Sequence, residues 1–400
     1  MKKTSLTKRY DALVLGGGPA GQVLACALAQ SGAHVAVLDR QDPAIPLQAW
    51  QDGRALALAY GGWRFLEQIG VARHMRAQVG MINDIRVADG ASAAHLDFLR
   101  QDGPGTPLGV MARMVDLRRA LAHRMREASG NCDVLAPVEI HALERGAAGV
   151  TIRLNDGRTV QAPLLVGADG RDSFCRREAG IGVTDRPYHE YGVVAELEHS
   201  LDHQGIAVEH FLPGGPFATL PLPGRHCGIV WTLPKTRGEA LAQADDESFQ
   251  RLMQQRAGDW LGQVRVVPGS RFAYPLTLRL AHHLTAPRLA LMGDAAHVVH
   301  PLAGQGFNLG LRDAQCLAGL VTEYLRLGLD PGAPDLLTSY ARRRWPDIAA
   351  LAVATHGLDR LFAPSAAPVM ALRRMGLTMV HHLPIIKRVL IRKAMGLATA

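Results

Sequence analysis

Residues 10–40 read YDALVLGGGPAGQVLACALAQSGAHVAVLDR. Tyr10 to Leu15 is an apolar run of strand length, and Gly16-Gly17-Gly18-Pro19-Ala20-Gly21 follows it directly. An Ala/Leu-rich stretch to about Gln30 predicts a helix, and Val35 to Leu38 predicts a second strand ending at Asp39-Arg40. Strand, G-x-G-x-x-G, helix, strand and a terminal acid about 20 residues on form the pattern of a dinucleotide-binding unit. Gly16 permits a tight turn, Gly18 lets the backbone approach a pyrophosphate, and Gly21 lets the helix pack closely on the strand. The helix N-terminus offers free N–H groups and positive dipole character to phosphate. Asp39 is placed to accept hydrogen bonds from a ribose. A non-binding strand–helix turn is the bland alternative, and this motif alone does not separate FAD from NAD.

Two further stretches repeat the theme. Pro163 to Val166 is a strand candidate leading into Gly167-Ala168-Asp169-Gly170-Arg171-Asp172-Ser173, with Arg176 beyond. Leu289 to Met292 leads into Gly293-Asp294-Ala295-Ala296-His297, then His300-Pro301-Leu302-Ala303-Gly304-Gln305-Gly306-Phe307-Asn308-Leu309-Gly310 and a helix to about Leu320. Each is an apolar strand ending in a glycine-flanked aspartate, at the sheet edge where ligands bind in open α/β folds. A carboxylate there can accept hydrogen bonds from a polyol such as the ribitol of FAD. Gly304 and Gly306 stand at a helix mouth, where N–H groups and the dipole suit the anionic edge of a reduced flavin. The bland alternatives are a turn aspartate for Asp169 and a helix N-cap for Asp294.

Four hundred residues, 48% of them hydrophobic, suffice for two domains. Cys26, Cys132, Cys175, Cys227 and Cys316 show no metal or redox spacing and read as reduced thiols of a cytosolic protein. Lys2, Lys3, Lys8 and Arg9 precede an apolar run as in a signal peptide, but the glycines and Pro19 break it. No charge-free run is long enough to predict a spanning helix. The net charge of +8 is uneven: after Asp359 no acid remains, while Arg360, Arg373, Arg374, Lys387, Arg388, Arg392 and Lys393 follow. That asymmetry describes a basic tail, not a nucleic-acid-binding protein. His282-His283 and His381-His382 lack the spacing and carboxylate partners of a metal site, so no metal is expected.

The motifs GGGPAG (16–21), DGRALAL (52–58), GADGRDS (167–173) and GDAAHVVHPLAGQGFNLGLRD (293–313) resemble those of the aromatic-ring hydroxylases with the para-hydroxybenzoate hydroxylase fold. AVEHFLPGGPFATLPLP (207–223) and YARRRWPDIAALAVATHGLDRLF (340–362) extend the likeness to nearly the whole chain, and HPLAGQGFNLG is similar to the UbiH/UbiF-type hydroxylases of ubiquinone biosynthesis. The resemblance implies a Rossmann-like, glutathione-reductase-type FAD domain with a smaller, mainly antiparallel substrate sheet. It implies that Gly16, Gly18, Pro19, Ala20, Gly21, Asp39 and Arg40 hold the ADP half of FAD. Arg54 would approach the pyrophosphate, and Asp294 the ribitol and pyrophosphate. Asp169 would serve both FAD and NAD(P)H, while Gly304, Gln305, Gly306, Phe307 and Asn308 line the isoalloxazine. Arg118 matches a flavin-contacting position, although the Glu-Asn pair usual before it is Arg113-Met114 here.

By the same resemblance, NAD(P)H reduces the flavin and leaves, and O2 forms a C4a-hydroperoxide that hydroxylates an electron-rich ring. One G-x-G-x-x-G leaves no separate nicotinamide domain, and no acid–base residue is assigned; His297, His300 and Pro301 belong to the flavin-loop surroundings. The histidines there read either as proton-transfer groups or as hydrogen-bonding partners of backbone or phosphate.

Tyr188 to Pro275 alternates apolar and polar residues and predicts strands of a sheet covering the flavin, with Phe217, Leu220 and Pro221 as lining candidates for a prenylated ring. Core packing is the competing role for each. Met370 to Leu397 mixes apolar and basic residues and predicts two short helices split by His381-His382-Leu383-Pro384, suited to an anionic membrane face.

The expected division is 1–80, 108–185 and 286–400 for the FAD domain, with 81–107 and 186–285 for the substrate sheet. The expected reaction is hydroxylation of a polyprenyl phenol by a cytoplasmic enzyme at the inner face of the membrane, within reach of a quinone-biosynthesis complex. A halogenase, a prenyl-chain reductase, a hydroxylase of another phenol and an idle flavin-retaining subunit are the rivals. The isolated tryptophans 50, 63, 231, 260 and 345 lack the W-x-W-x-I-P run of tryptophan-linked halogenases.

Overall fold

The computed structural model describes residues 7–42, 54–90, 95–212, 214–300, 304–362, 379 and 383–397. In chain order, the first half supplies β1 (Ala12–Leu15), α1 (Pro19–Gln30), β2 (Val35–Leu38), β3 (Ala55–Ala59), β4 (Asp84–Asp89), β5 (Gly109–Arg113), α2 (Met114–Glu127), β6 (Cys132–Leu135), β7 (Leu164–Gly167) and β8 (Val183–His199). The second half supplies β9 (Ile206–Leu212), β10 (Gly215–Leu222), β11 (His226–Pro234), α3 (Asp246–Ala257), β12 (Phe272–Ala281), β13 (Leu289–Leu291), α4 (Gln305–Arg326), α5 (Pro334–Phe362) and α6 (Pro384–Ala394).

The parallel sheet runs β13–β7–β1–β2–β6, edged by the short antiparallel strand Thr285–Ala286. All four residues of β1 and of β2 are buried. That is why these strands read as unbroken apolar runs instead of alternating ones. Proline at the first turn of α1 has its φ preset for a helix, and Gly32 at φ +91 ends the segment. From Gly21 to Ala29, α1 is buried throughout, and it packs against α4.

A nine-stranded sheet forms the second layer, in the order (His297–Val298)–β12–β8–β11–β10–β9–β4–(His95–Phe98), with Val264–Val266 beside β8. Its pairs are antiparallel except β9 with β4. Between the two layers, β3 and β5 pair antiparallel in a small three-stranded sheet with Val79–Ile82.

The large sheet has a hydrophobic core on each side. On the outer side Val193, Phe217, Trp231 and Leu233 meet Phe249 and Met253 of α3. On the inner side Ala207 and Leu222 meet Met111 of β5 and Ile391 and Met395 of the C-terminal segment. The expectation of strands throughout 188–275 fails at Lys235–Gln243 and at α3, which are helices. The Asp245 side chain accepts the Ser248 N–H to start α3, and Gly258 at φ +71 stops it. Phe249, Met253 and Ala257, spaced four apart, bury one face.

Helix α4 continues beyond the expected Leu320 to Arg326. Of the two C-terminal helices expected, the second is α6, opened by Pro384; the first lies outside the described residues. Among the described residues no helix is long and apolar enough to cross a membrane.

Candidate flavin site

The C-terminal edges of β1, β7 and β13 converge on three turns. At Gly16 (φ +114) an added Cβ would stand 2.2 Å from the Ala168 carbonyl oxygen, and at Gly21 one would stand 2.0 Å from the Gly16 oxygen. The first turn is therefore locked against the second by backbone contact that tolerates no side chain. Gly18 differs: among the described residues a Cβ there meets nothing within 4 Å. It is the N-cap of α1, with no side-chain cap and no acid in the first turn. The leading N–H groups of the helix thus face an opening. Asp39, at the end of β2, accepts the Gly17 N–H (2.5 Å) and the Gln41 N–H (2.8 Å), placing its carboxylate at the same turn. Pro19 and Ala20 form the helix start, and Arg40 is exposed just beyond Asp39.

The second turn holds itself together. Asp169 accepts Ser173 Oγ–H (2.5 Å) and the Cys175 N–H (3.0 Å), so its carboxylate organises its own turn. In the third turn Gly293 sits against the Ala20 methyl, and Asp294 is exposed beside it. Gly304 (φ +60) caps α4 without a side-chain bond, and no acid lies in that first turn either. A Cβ on Gly304 would be 3.1 Å from that of Ala57, whereas one on Gly306 meets none of the described residues within 4 Å. Buried Asn308 staples this helix start to β3: Oδ1 accepts the Ala59 N–H (2.9 Å), and Nδ2 donates to the Ala57 oxygen (2.7 Å). Gln305 and Phe307 are half-buried at the same helix mouth.

Beneath the third turn lies a charged network that sequence reading missed. Asp313 of α4 accepts the Gly293 N–H (3.0 Å), pairs with His297 Nε2 (2.6 Å) and accepts from Arg344 Nε of α5 (2.7 Å). Burial opposes ionisation of Asp313, yet His297 and Arg344 outweigh it and hold the carboxyl at about 2. His297 therefore partners a carboxylate, not a backbone or phosphate group. Arg113, in place of the usual pair before α2, bridges the layers: its guanidinium grips Glu196 of β8, which His226 also approaches (2.8 Å). Burial resists ionisation of Glu196, but Arg113 and His226 hold it below the usual carboxylate range. Arg118 is half-buried on α2, and Arg54 is exposed ahead of β3.

His300 is fully buried, 3.4 Å from Glu190 and edge-on to Tyr188; Pro301 lies outside the described residues. Of the ring-lining candidates, Leu220 packs in the inner core, whereas Pro221, paired with Cys227 of the outer core, is buried on the opposite face. Phe217 needs correction: it lies in the outer core, edge-on to Trp231, on the face turned away from β3. A period of two tells which residues share a face but not which face meets the cofactor.

The cradle fits FAD on its own terms: two uncapped helix starts, two close-packed glycine turns and an exposed aspartate between them. A pyrophosphate suits the N–H groups above Gly18, and a polyol suits Asp294. These features define a dinucleotide-binding flavoprotein. The chain belongs to the FAD binding domain family, which matches residues 9–355. It is 44% identical to the ubiquinone hydroxylase UbiL of Rhodospirillum rubrum over 98% of this chain and 91% of that one. It is 30% identical to the 3-demethoxyubiquinol 3-hydroxylase of Escherichia coli K12, over 96% and 98% of the two chains. Among solved structures, p-nitrophenol 4-monooxygenase PnpA from Pseudomonas putida shares the fold, with a TM-score of 0.79, 19% identity and coverage of 97% and 98%.

Proposed function

We propose that the chain is an FAD-dependent monooxygenase that places one oxygen atom of O2 on the aromatic ring of a polyprenyl phenol in ubiquinone biosynthesis, with NAD(P)H as reductant. The observation that carries this reading is the convergence of the three glycine turns on one cradle, in a chain similar over nearly its full length to named ubiquinone hydroxylases. Bound FAD would supply the redox and oxygen-activating chemistry. The protein's own part is to hold, orient and keep dry. The α1 start would take the pyrophosphate, with Arg54 nearby, and Asp39 the adenosine ribose. Asp294 would hold the ribitol, and the N–H groups after Gly304 would stabilise negative charge on the ring system. Leu220 and Leu222, with Met111, offer an apolar wall to a prenylated ring.

The same reading extends to the membrane surface. Helix α6 exposes Ile385 (77%), Ile386, Val389 and Leu390, flanked by exposed Arg388, Arg392 and Lys393. It is fixed to the body by buried Lys387, paired with Asp102 (2.6 Å), and by Ile391. An apolar stripe with basic flanks suits the anionic inner face of a bilayer in which a polyprenyl substrate dissolves. Peripheral attachment there, beside other quinone-pathway enzymes, follows from this reading.

The test is a mass-spectrometric profile of prenylated lipids in the native host with the gene deleted. Accumulation of a quinone precursor one oxygen short is expected, and its structure names the ring carbon. An unchanged profile, with no second hydroxylase present, removes the quinone assignment.

A further inference from the structure

Strand β9 sorts its side chains between two surroundings. Ile206, Val208, His210 and Leu212 point outward, where they line a cavity of about 580 Å³ with Leu252 and Arg256. Ala207 and Phe211 are buried on the inner side, and Glu209 lies between them, sharing that side. Cross-strand register carries the same face along the sheet: Glu209 opposes Ala218, Ala218 opposes Val230, and Leu220 opposes Gly228. Gly228 lies so close to β3 that an added Cβ would be 3.0 Å from that of Ala55, and Ala57 in turn meets Gly304. Glu209 therefore faces the slot between the large sheet and β3, the strand that carries the flavin-loop helix start.

Among the described residues the Glu209 carboxyl has no hydrogen-bond or ion-pair partner. Charged groups nearby on this face are otherwise engaged. Asp89 of β4 is buried two pairs along, Glu196 of β8 is held by Arg113 and His226, and Lys387 of α6 is tied to Asp102. Burial alone raises the Glu209 carboxyl to about 7. A carboxylate with no partner among the described residues, in a slot whose other charged groups are already engaged, is a costly feature for a fold to keep without a use.

We propose that Glu209 is the hydrogen-bond acceptor and general base for the ring hydroxyl of the phenolic substrate, an assignment that rests on the aromatic-hydroxylase reading above. As an oxygen atom derived from O2 bonds to the ring carbon and its O–O bond breaks, the phenol O–H electron pair moves into the ring. The proton passes to Glu209. The dienone so formed loses the hydrogen on the new C–O carbon and regains a hydroxyl proton from Glu209 as it rearomatises. A base near the working pH suits such a transfer, and a hydrogen bond from phenol to carboxylate also enriches the ring in electrons for attack. The second oxygen leaves as water, its electrons supplied by NAD(P)H.

The test uses the FAD-loaded enzyme and 2-prenylphenol as probe, with calorimetric binding to the oxidised, non-reacting form and steady-state kinetics, each across pH 5.5–9. In the wild type, affinity and kcat/KM should both rise as pH increases through about 7. In Glu209→Gln, with flavin content unchanged, binding should lose that pH dependence, and kcat/KM at pH 8 should fall about 10²–10⁴-fold. Glu209→Asp should restore part of the limb. A Gln variant that keeps the wild-type pH profiles of binding and kcat/KM overturns the assignment. A wild type that neither binds the phenol nor turns it over removes the aromatic-hydroxylase reading itself, and Glu209's role with it.

Discussion

Gly18 and Glu209 show at single-residue scale how function is kept apart from stability. Gly18 has an ordinary negative φ and open space where a Cβ would go. Gly18→Val should therefore fold normally yet place its branches where a pyrophosphate must approach. A soluble, native-like but colourless protein is expected, and Asp294→Ala should lose flavin for want of its acceptor. Both variants purifying with full FAD would sink the cofactor assignment. Glu209 carries the opposite signature. Its folded-state carboxyl is raised from about 4.5 to about 7, so the native state holds the proton more tightly than the unfolded chain. Stability from this group is intact below about 4.5 and declines as pH rises to about 7, by as much as ~3 kcal/mol. Glu209→Gln should then raise the melting temperature at pH 8 and leave it nearly unchanged at pH 4.5. An equal shift at both pH values would mean that the carboxyl is not held unpaired in a desolvated slot. A change that stabilises the protein while slowing it is the mark of a residue kept for chemistry.

Among elements, those fixed by local chemistry were legible in the sequence and those fixed by distant partners were not. Strand β1, the glycine turn and α1 follow from adjacent residues: a doubly buried strand, glycines demanded by backbone contact, and a proline at the helix start. Helix α3 was missed because it interrupts a long run of strands, although Phe249, Met253 and Ala257 recur every four residues and Asp245 and Ser248 held a capping signal. The His297–Asp313–Arg344 network joins residues 16 and 31 positions apart in sequence, and no local pattern announces it. Glu209 was visible as one acid within AVEHFL, but its face was not. Helix α6 was legible from its charge pattern, and its exposed stripe makes a direct prediction. The protein should float with vesicles containing phosphatidylglycerol and not with pure phosphatidylcholine, and added salt should weaken the association. Ile385→Asp with Val389→Asp should abolish flotation while leaving flavin content intact. Flotation of that double variant at the wild-type level would place the lipid-binding surface elsewhere.

Across the whole molecule, the large sheet separates two kinds of packing. Its inner side meets β3, β5 and the C-terminal helix, while its outer side is closed by α3 over Phe217 and Trp231. Phe217→Ala should cost about 3–5 kcal/mol of stability by leaving a cavity in the outer core. The folded fraction should bind FAD and 2-prenylphenol with wild-type affinity. Loss of phenol affinity without loss of stability would return Phe217 to the ring pocket.

The sheet is thus a partition wall, and the wall has a consequence for inheritance. Changes in the outer layer are filtered by whether the chain still folds, whereas changes on the inner layer are also filtered by what the cofactor and the ring require. Lineages of this enzyme should therefore accumulate compensating pairs of apolar substitutions behind the wall, and shifts in substrate should be written almost wholly in front of it.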